Sequence, residues 1–133
     1  MNTLRGKITS INTEGHLSLI SISVKDVTFK SIVIETPQSV DYLKTGNTIN
    51  VLFKETEVVI GKGKIQQISM QNQVPCTIKN IEEGKLLSRI DLDFQNNEIV
   101  SIITTNAIRN LDLKVDDKVV AMIKTNEIML SEL

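Results

Sequence analysis

The stretch VAMIK at residues 120–124 repeats the pattern of NVLFK at residues 50–54. Each is a strand-like apolar run that ends in one Lys, Lys124 in the second half and Lys54 in the first. Upstream, TTNA at residues 104–107 answers to TPQS at residues 36–39, and equivalent residues lie 68 to 70 positions apart. A repeat of this length indicates two copies of one small domain, which we place at residues 1–63 and 64–133.

The composition of the chain excludes several classes of function. The chain has 133 residues, 15 basic and 16 acidic, so it lacks the clearly basic balance of a nucleic-acid-binding protein. Three Phe, one Tyr and no Trp leave few stacking surfaces, while one Cys and one His exclude an internal disulfide and a Cys/His zinc cluster. No leader or membrane-length apolar run is visible. We therefore expect a cytoplasmic protein without nucleic-acid or membrane partners.

Strand patterns dominate both halves. Apolar and polar residues alternate at residues 17–24 and 90–94, and β-branched runs follow at residues 27–34 and 98–104. Further strands are expected at residues 7–11, 48–54, 57–60, 118–124 and 127–130. The alternation changes phase at Leu19 and Ile20, which predicts a bulge or a strand corner there. The predicted fold is all-β, with two tandem small OB-like β-barrels that each carry one short helix.

The two short helices are expected at residues 36–43 and 105–111. In the first, Thr36 suits the N-cap and Pro37 the first helical position. In the second, Thr104 or Thr105 is the expected cap. The GKGK stretch at residues 61–64 is typical of a linker, and residues 65–73 are expected to be an extended segment that belongs with the second half.

The residues that could carry chemistry favour an anion. Unpaired amides at a helix start, hydroxyls such as those of Thr36 and Ser39, and a neighbouring Lys together suit a tetrahedral dianion. The same residues also fit an ordinary capped helix beside a surface Lys. The single His16 lies in a predicted turn without a catalytic partner, so we expect no enzyme.

Four stretches of the second half together resemble a Mop domain, the molybdate-binding unit related to TOBE domains. They are ISMQNQVP at residues 68–75, IITTN at 102–106, LDLKV at 111–115 and VVAMIKTNEIML at 119–130. The first half is similar to a more diverged copy, through NTLRG at residues 2–6, TPQS at 36–39 and VLFKET at 51–56. Two such domains in one chain resemble the molbindins.

This resemblance implies molybdate, or tungstate, as bound ligand, with no organic cofactor and no metal cation. The oxyanion would lie between Mop domains of a homo-oligomer, expected to be a trimer. The ligands it implies are listed by motif: Thr36, Ser39 and Lys54 in the first half, and Ser69, Thr104 and Lys124 in the second.

The chain departs from the family pattern at three positions. Gln71 replaces an Arg, Ala107 replaces a Ser and Cys76 replaces a Gly. Loss of a charge-assisted hydrogen bond at position 71 would weaken a site by about 1.5–3 kcal/mol. A Cβ at position 76 is expected to crowd close backbone packing.

The predicted function is cytoplasmic binding of molybdate for storage or homeostasis. The alternative is a molybdate-sensing regulatory or interaction module without a DNA-binding domain. A barrel that binds single-stranded nucleic acid and a scaffold trimer with decayed sites are further hypotheses. The residues leave these alternatives open, together with the preference among molybdate, tungstate and sulfate.

Overall fold

A computed structural model describes residues 1–64 and 67–133, and these residues form ten strands, one α-helix and two single-turn 3₁₀ helices. The first half contains β1 (Asn2–Glu14), β2 (Leu17–Val24), β3 (Val27–Val33), β4 (Thr48–Phe53), the first 3₁₀ turn (Glu55–Glu57) and β5 (Val59–Lys62). The second half contains β6 (Asn72–Glu83), β7 (Leu87–Phe94), β8 (Asn97–Thr104), α1 (Thr105–Leu111), β9 (Lys118–Ile123), the second 3₁₀ turn (Thr125–Glu127) and β10 (Met129–Ser131). No described helix is long and apolar enough to cross a membrane.

The described strands form two five-stranded sheets, and each sheet takes one strand from the other half. Their orders are β10-β4-β1-β2-β3 and β5-β9-β6-β7-β8. All neighbouring strands are antiparallel. The short last strand of each half therefore completes the edge of the opposite sheet, which ties the two halves together.

The registers of the two sheets repeat at a spacing of 70 residues. Asn2 pairs with Phe53 where Asn72 pairs with Ile123, and both long strands carry a register shift after the same position. Alternate residues of each sheet point into the core, and Phe29, Phe53 and Phe94 are fully or almost fully buried. The sequence repeat is thus also a structural repeat.

Equivalent polar contacts join the halves on both sides of the repeat. The Asn2 side chain donates to Val100 O and accepts from Val100 N, both at 2.8 Å. The buried hydroxyls of Ser31 and Ser101 donate to the carbonyls of Ile128 and Val58 at 2.9 and 2.8 Å. Every buried side-chain N or O atom in the described residues has a hydrogen-bond partner, so the contact between the halves leaves no buried side-chain polar atom unpaired.

The all-β prediction with two OB-like units is confirmed, but the helix expected at residues 36–43 is wrong. These residues form hydrogen-bonded turns, with Ser39 N and Val40 N both donating to Thr36 O at 3.0 and 3.1 Å. Pro, Ser, Val, Asp and Tyr in this stretch have low helix propensity. The counterpart α1 contains Ala, Ile, Arg and Leu and is helical.

The bulge expected at Leu19 and Ile20 is also wrong. The register shift lies across the sheet in β1, between Ile8 and Ser10. Strand β2 alternates without a break, because the fully buried Ser18 takes an inward position and its hydroxyl lies 2.8 Å from Thr13 Oγ1. Leu17 consequently faces outward with 48% of its surface exposed.

The linker expected at residues 61–64 is partly a strand. Gly61 and Lys62 belong to β5 and pair with Val120 and Val119 of β9. The Lys62 ammonium donates to the carbonyls of Leu111 and Asp112 at the end of α1, at 3.1 and 2.8 Å. Two residues of the expected extended segment, 65 and 66, lie outside the described part of the chain. The domain boundary at residue 63 stays a prediction. One strand from each side of it, β5 and β10, pairs with the sheet of the other half.

Candidate functional site

One cavity of about 380 Å³ lies where the segment before β6 meets the end of β9. It is lined by Ile68, Ser69, Met70, Gln71, Lys124 and Thr125. The antiparallel pairing of Asn72 with Ile123 explains the meeting, because residues just before β6 and just after β9 then share one end of the sheet. Two of the six predicted ligands, Ser69 and Lys124, are thereby brought together.

The wall of the cavity is held by two local anchors. The fully buried Asn72 accepts from Lys30 N at 2.6 Å and donates to Lys30 O at 2.9 Å, which fixes the start of β6 against β3. The Gln73 amide donates to Met70 O at 2.9 Å and shapes the segment that precedes β6. Lys124 has extended backbone angles, φ −65° and ψ 149°, and leads from β9 into the second 3₁₀ turn.

The lining groups suit an anion. Lys124 supplies a positive charge, Ser69 and Thr125 supply hydroxyls, and Gln71 supplies a carboxamide. The described residues that line the cavity include no carboxylate. An oxyanion could accept hydrogen bonds from all four groups, and the ammonium would compensate part of its charge. Ser69, Gln71 and Lys124 are exposed, so the cavity is open to solvent in a single chain.

Thr36 and Ser39 lie elsewhere, on the turn between β3 and β4. Thr36 N donates to Ser39 Oγ at 2.8 Å, and Ser39 N donates to Thr36 Oγ1 at 3.2 Å. The Ser39 hydroxyl in turn donates to Thr36 O at 3.1 Å. The Ser39 hydroxyl therefore donates its proton within the turn, while the Thr36 hydroxyl acts there as an acceptor.

Thr104 is the N-cap of α1 and lines a different cavity, of about 420 Å³. Its Oγ1 accepts from Ala107 N at 3.1 Å, while Thr105 N donates to Leu86 O at 2.8 Å. The described lining of this cavity is mostly apolar and without charge: Thr56, Val58, Val59, Ile60, Leu87, Ile102, Ile103, Thr104, Ala107 and Leu111. This lining offers a dianion few hydrogen-bond donors to replace its water shell.

Lys54 occupies the position in the first half that Lys124 occupies in the second. It is exposed and leads into the first 3₁₀ turn with φ −74° and ψ 146°. It lies outside the cavity of Ser69 and Lys124. The residue after Lys54 is Glu55, whereas Thr125 follows Lys124.

Sequence reasoning missed Thr125 as a lining residue of the cavity. The available signal was its place directly after Lys124, at the end of a predicted strand. Gln71 lines the same cavity as Ser69, although the family pattern indicated only that it replaces an Arg.

Cys76 departs from the family pattern without leaving the core. It is 5% exposed in β6, and burial raises the pKa of its thiol to about 12. Its counterpart Gly6 is packed too tightly for a side chain, since a Cβ there would lie 2.5 Å from Ile22 Cγ2. The second sheet thus accommodates a side chain where the first requires glycine.

No group of three or more His, Cys, Asp or Glu side chains within residues 1–64 and 67–133 is arranged to hold a metal ion.

Comparisons with known proteins give four findings. The TOBE domain family matches residues 68–130. The structure of the cytoplasmic molybdate-binding protein ModG, with molybdate bound, is similar at a TM-score of 0.92 and 23% identity over 99% of this chain and 96% of that chain. A molybdate-binding protein from Sporomusa ovata is similar at a TM-score of 0.50 and 33% identity over 50% of this chain and 100% of that chain. Comparison with curated protein sequences gives no match.

The likeness to ModG shows that the whole described chain, with its two five-stranded sheets, shares the fold of that protein. The match over residues 68–130 covers the segment before β6, all of β6 to β9 and most of β10. Residues 68–130 of this chain therefore match the TOBE domain family.

Proposed function

We propose that this protein binds molybdate reversibly, without catalysing a reaction on it, and that both halves are Mop domains. The observation that carries the proposal is the cavity in which Ser69, Gln71, Lys124 and Thr125 converge without a carboxylate among its described lining residues. Support comes from the two structural relatives, which are molybdate-binding proteins. We propose a cytoplasmic role in molybdate storage or homeostasis, with tungstate as a second ligand.

The proposed mechanism is replacement of the water shell of the ion. Molybdate is a dianion at neutral pH, so its binding requires no release of a proton. The Lys124 ammonium offsets one charge, and the hydroxyls and the carboxamide donate to the oxygens. Sulfate has the same shape and charge but is smaller, so the number of donors that reach the ion and the cavity size would determine selectivity.

We further propose that a neighbouring copy of the chain completes the site, in a trimer. A single chain leaves the cavity open, with Ser69 and Lys124 exposed. Full desolvation of a dianion requires more donors than these, because an unpaired buried charge is costly. Binding and assembly would then be linked, and molybdate would stabilise the oligomer. Thr36, Ser39, Lys54 and Thr104 lie outside this cavity and stay predictions.

Isothermal titration calorimetry with molybdate, tungstate and sulfate tests the proposal. The intact protein is expected to bind molybdate at micromolar concentration, and Lys124→Ala is expected to weaken binding at least about tenfold, as loss of a charge-assisted contact does. Lys79→Ala is the matched control, since Lys79 is an exposed Lys on the same strand, β6, that follows the cavity segment. Absence of molybdate binding by the intact protein would refute the proposed function.

Storage and sensing are separated by a second experiment. If the protein is a sensing module, immobilised protein should retain a partner protein from a cell extract only when molybdate is present. Storage requires no such partner, and predicts instead that the bound molybdate is released intact on dilution.

A further inference from the structure

The repeat creates two pseudo-equivalent positions, one at Lys54 and one at Lys124. Each Lys follows a strand of the same register and leads into a 3₁₀ turn. Each 3₁₀ turn packs against an edge strand of the other half, the first against β8 and the second against β3. The side chains of the opposite β-hairpin therefore contribute to the electrostatic environment of each Lys.

Acidic residues lie next to Lys54 in the sequence and on the hairpin whose strand β8 packs against the 3₁₀ turn that follows Lys54. Glu55 follows Lys54 directly, and the β7–β8 hairpin carries Arg89, Asp91 and Glu98. Arg89 is already paired, with Nε 2.9 Å from Asp91 Oδ1 and Nη2 3.5 Å from Glu98 Oε1. The pKa of Glu55 is lowered, first by its hydrogen bond to the amino terminus, and the 3₁₀ turn that Glu55 begins packs against β8 of this hairpin. Three carboxylates thus accompany two cationic side chains and the amino-terminal ammonium, which lies 2.7 Å from Glu55 Oε2, so these six groups carry no net charge.

The Lys124 position has no carboxylate at any of the matching places. The pairs, 70 residues apart, are Glu55 and Thr125, Asp91 and Ser21, Glu98 and Thr28, Arg89 and Leu19, and Val100 and Lys30. Lys30 adds a second cationic side chain, whose ammonium lies 2.9 Å from Ser21 Oγ. Its backbone is hydrogen-bonded to Asn72, the residue after Gln71 in the cavity.

We infer that the two positions are unequal in charge: the Lys124 position takes the dianion, and Glu55, Asp91 and Glu98 close the Lys54 position to it. The inference rests on the proposed function and assigns that function to one of the two repeats. The carboxylates neutralise the cations of the Lys54 position, whereas Lys30 and Lys124 leave the other position positive, and the attraction for an ion of charge −2 is twice that for a monoanion. The cavity beside the first 3₁₀ turn, which Thr56 and Thr104 line, adds no charged group to this balance.

A pair of Lys variants tests the inference by calorimetry on the intact protein. Lys124→Ala is expected to weaken molybdate binding at least about tenfold. Lys54→Ala is expected to leave both the dissociation constant and the number of ions bound per chain unchanged. Equal loss in the two variants would overturn the inference while leaving the proposed function intact. If the unmodified protein binds no molybdate, both the function and the inference fail.

Introducing the carboxylate of one repeat at the equivalent position of the other repeat gives an independent test. Thr125→Glu places the carboxylate of the Lys54 position beside Lys124, and Thr125→Gln is the neutral control of the same size. The Glu variant is expected to bind molybdate at least about tenfold more weakly than the Gln variant, with the difference reduced at high salt. Equal affinities of the two variants would overturn the assignment of charge as the cause.

Discussion

The Asn72→Ala variant tests how the site is attached to the rest of the molecule. Asn72 is fully buried and bonds both backbone groups of Lys30, at 2.6 and 2.9 Å. β3 is the last strand of its sheet, so these backbone groups have no further strand to pair with. Each buried group left without a partner costs about 1–3 kcal/mol, and water can reach part of this half-buried strand. We expect a loss of about 2–4 kcal/mol in the free energy of unfolding, a large share of the usual total of about 5–15 kcal/mol.

Equilibrium urea denaturation at one fixed protein concentration measures this loss. Asn2→Ala is the matched comparison, because Asn2 makes the equivalent pair of bonds to Val100 and should cost a similar amount. Asn12→Ala, at an exposed position, should change stability by less than about 0.5 kcal/mol. If Asn72→Ala is as mild as Asn12→Ala, the bonds to Lys30 do not stabilise the fold and the reasoning fails.

Two further predictions concern titratable groups. Cys76 is the only Cys of the chain, and burial raises the pKa of its thiol to about 12. A thiol reagent at about pH 8 should therefore label the native protein far more slowly than the unfolded chain. Equal labelling rates would contradict the burial of Cys76. Burial, and then the hydrogen bond to Glu35, raise the pKa of Tyr42 from 10.0 to about 12. The folded state then keeps the phenol proton that the unfolded chain loses, so this contribution is present below pH 10.0 and stability should fall as the pH rises toward 12. Tyr42→Phe, which removes the only Tyr, should reduce that fall, and an unchanged pH profile would contradict the prediction.

Local pattern was sufficient for most strands. Alternation of apolar and polar residues follows the two-residue period of a strand, and it predicted β2 and β7 to within a few residues, while a β-branched run predicted β8. The alternation misplaced the inward face of β2, where residues on the outward face are also apolar. Leu17 and the half-buried Leu19 lie on that face, and the inward place goes to Ser18, which finds a hydroxyl partner in Thr13. The first-half helix failed because good capping residues do not compensate for a stretch of poor helix formers.

The candidate site was only partly predictable. Ser69 and Lys124 were predicted from a family resemblance, and the structure brings them to one cavity through the pairing of β6 with β9. Thr36, Ser39 and Thr104 matched the same resemblance, but the structure shows their hydroxyls in hydrogen bonds of local turns and caps. Whether a hydroxyl faces a cavity or its own backbone depends on the turn geometry, which a motif does not specify.

The sequence by itself determined that this protein is a repeat, that each copy is built from short strands, and that a Lys ends the same strand in both copies. Only the tertiary structure decided which sheet each final strand joins. β5 and β10 have the same local pattern whichever edge they pair with, and their places depend on hydrogen-bonding edges presented by distant strands, β9 and β4. That exchange also places each 3₁₀ turn against the other half, so part of the charge around Lys54 and Lys124 comes from residues far away in the sequence.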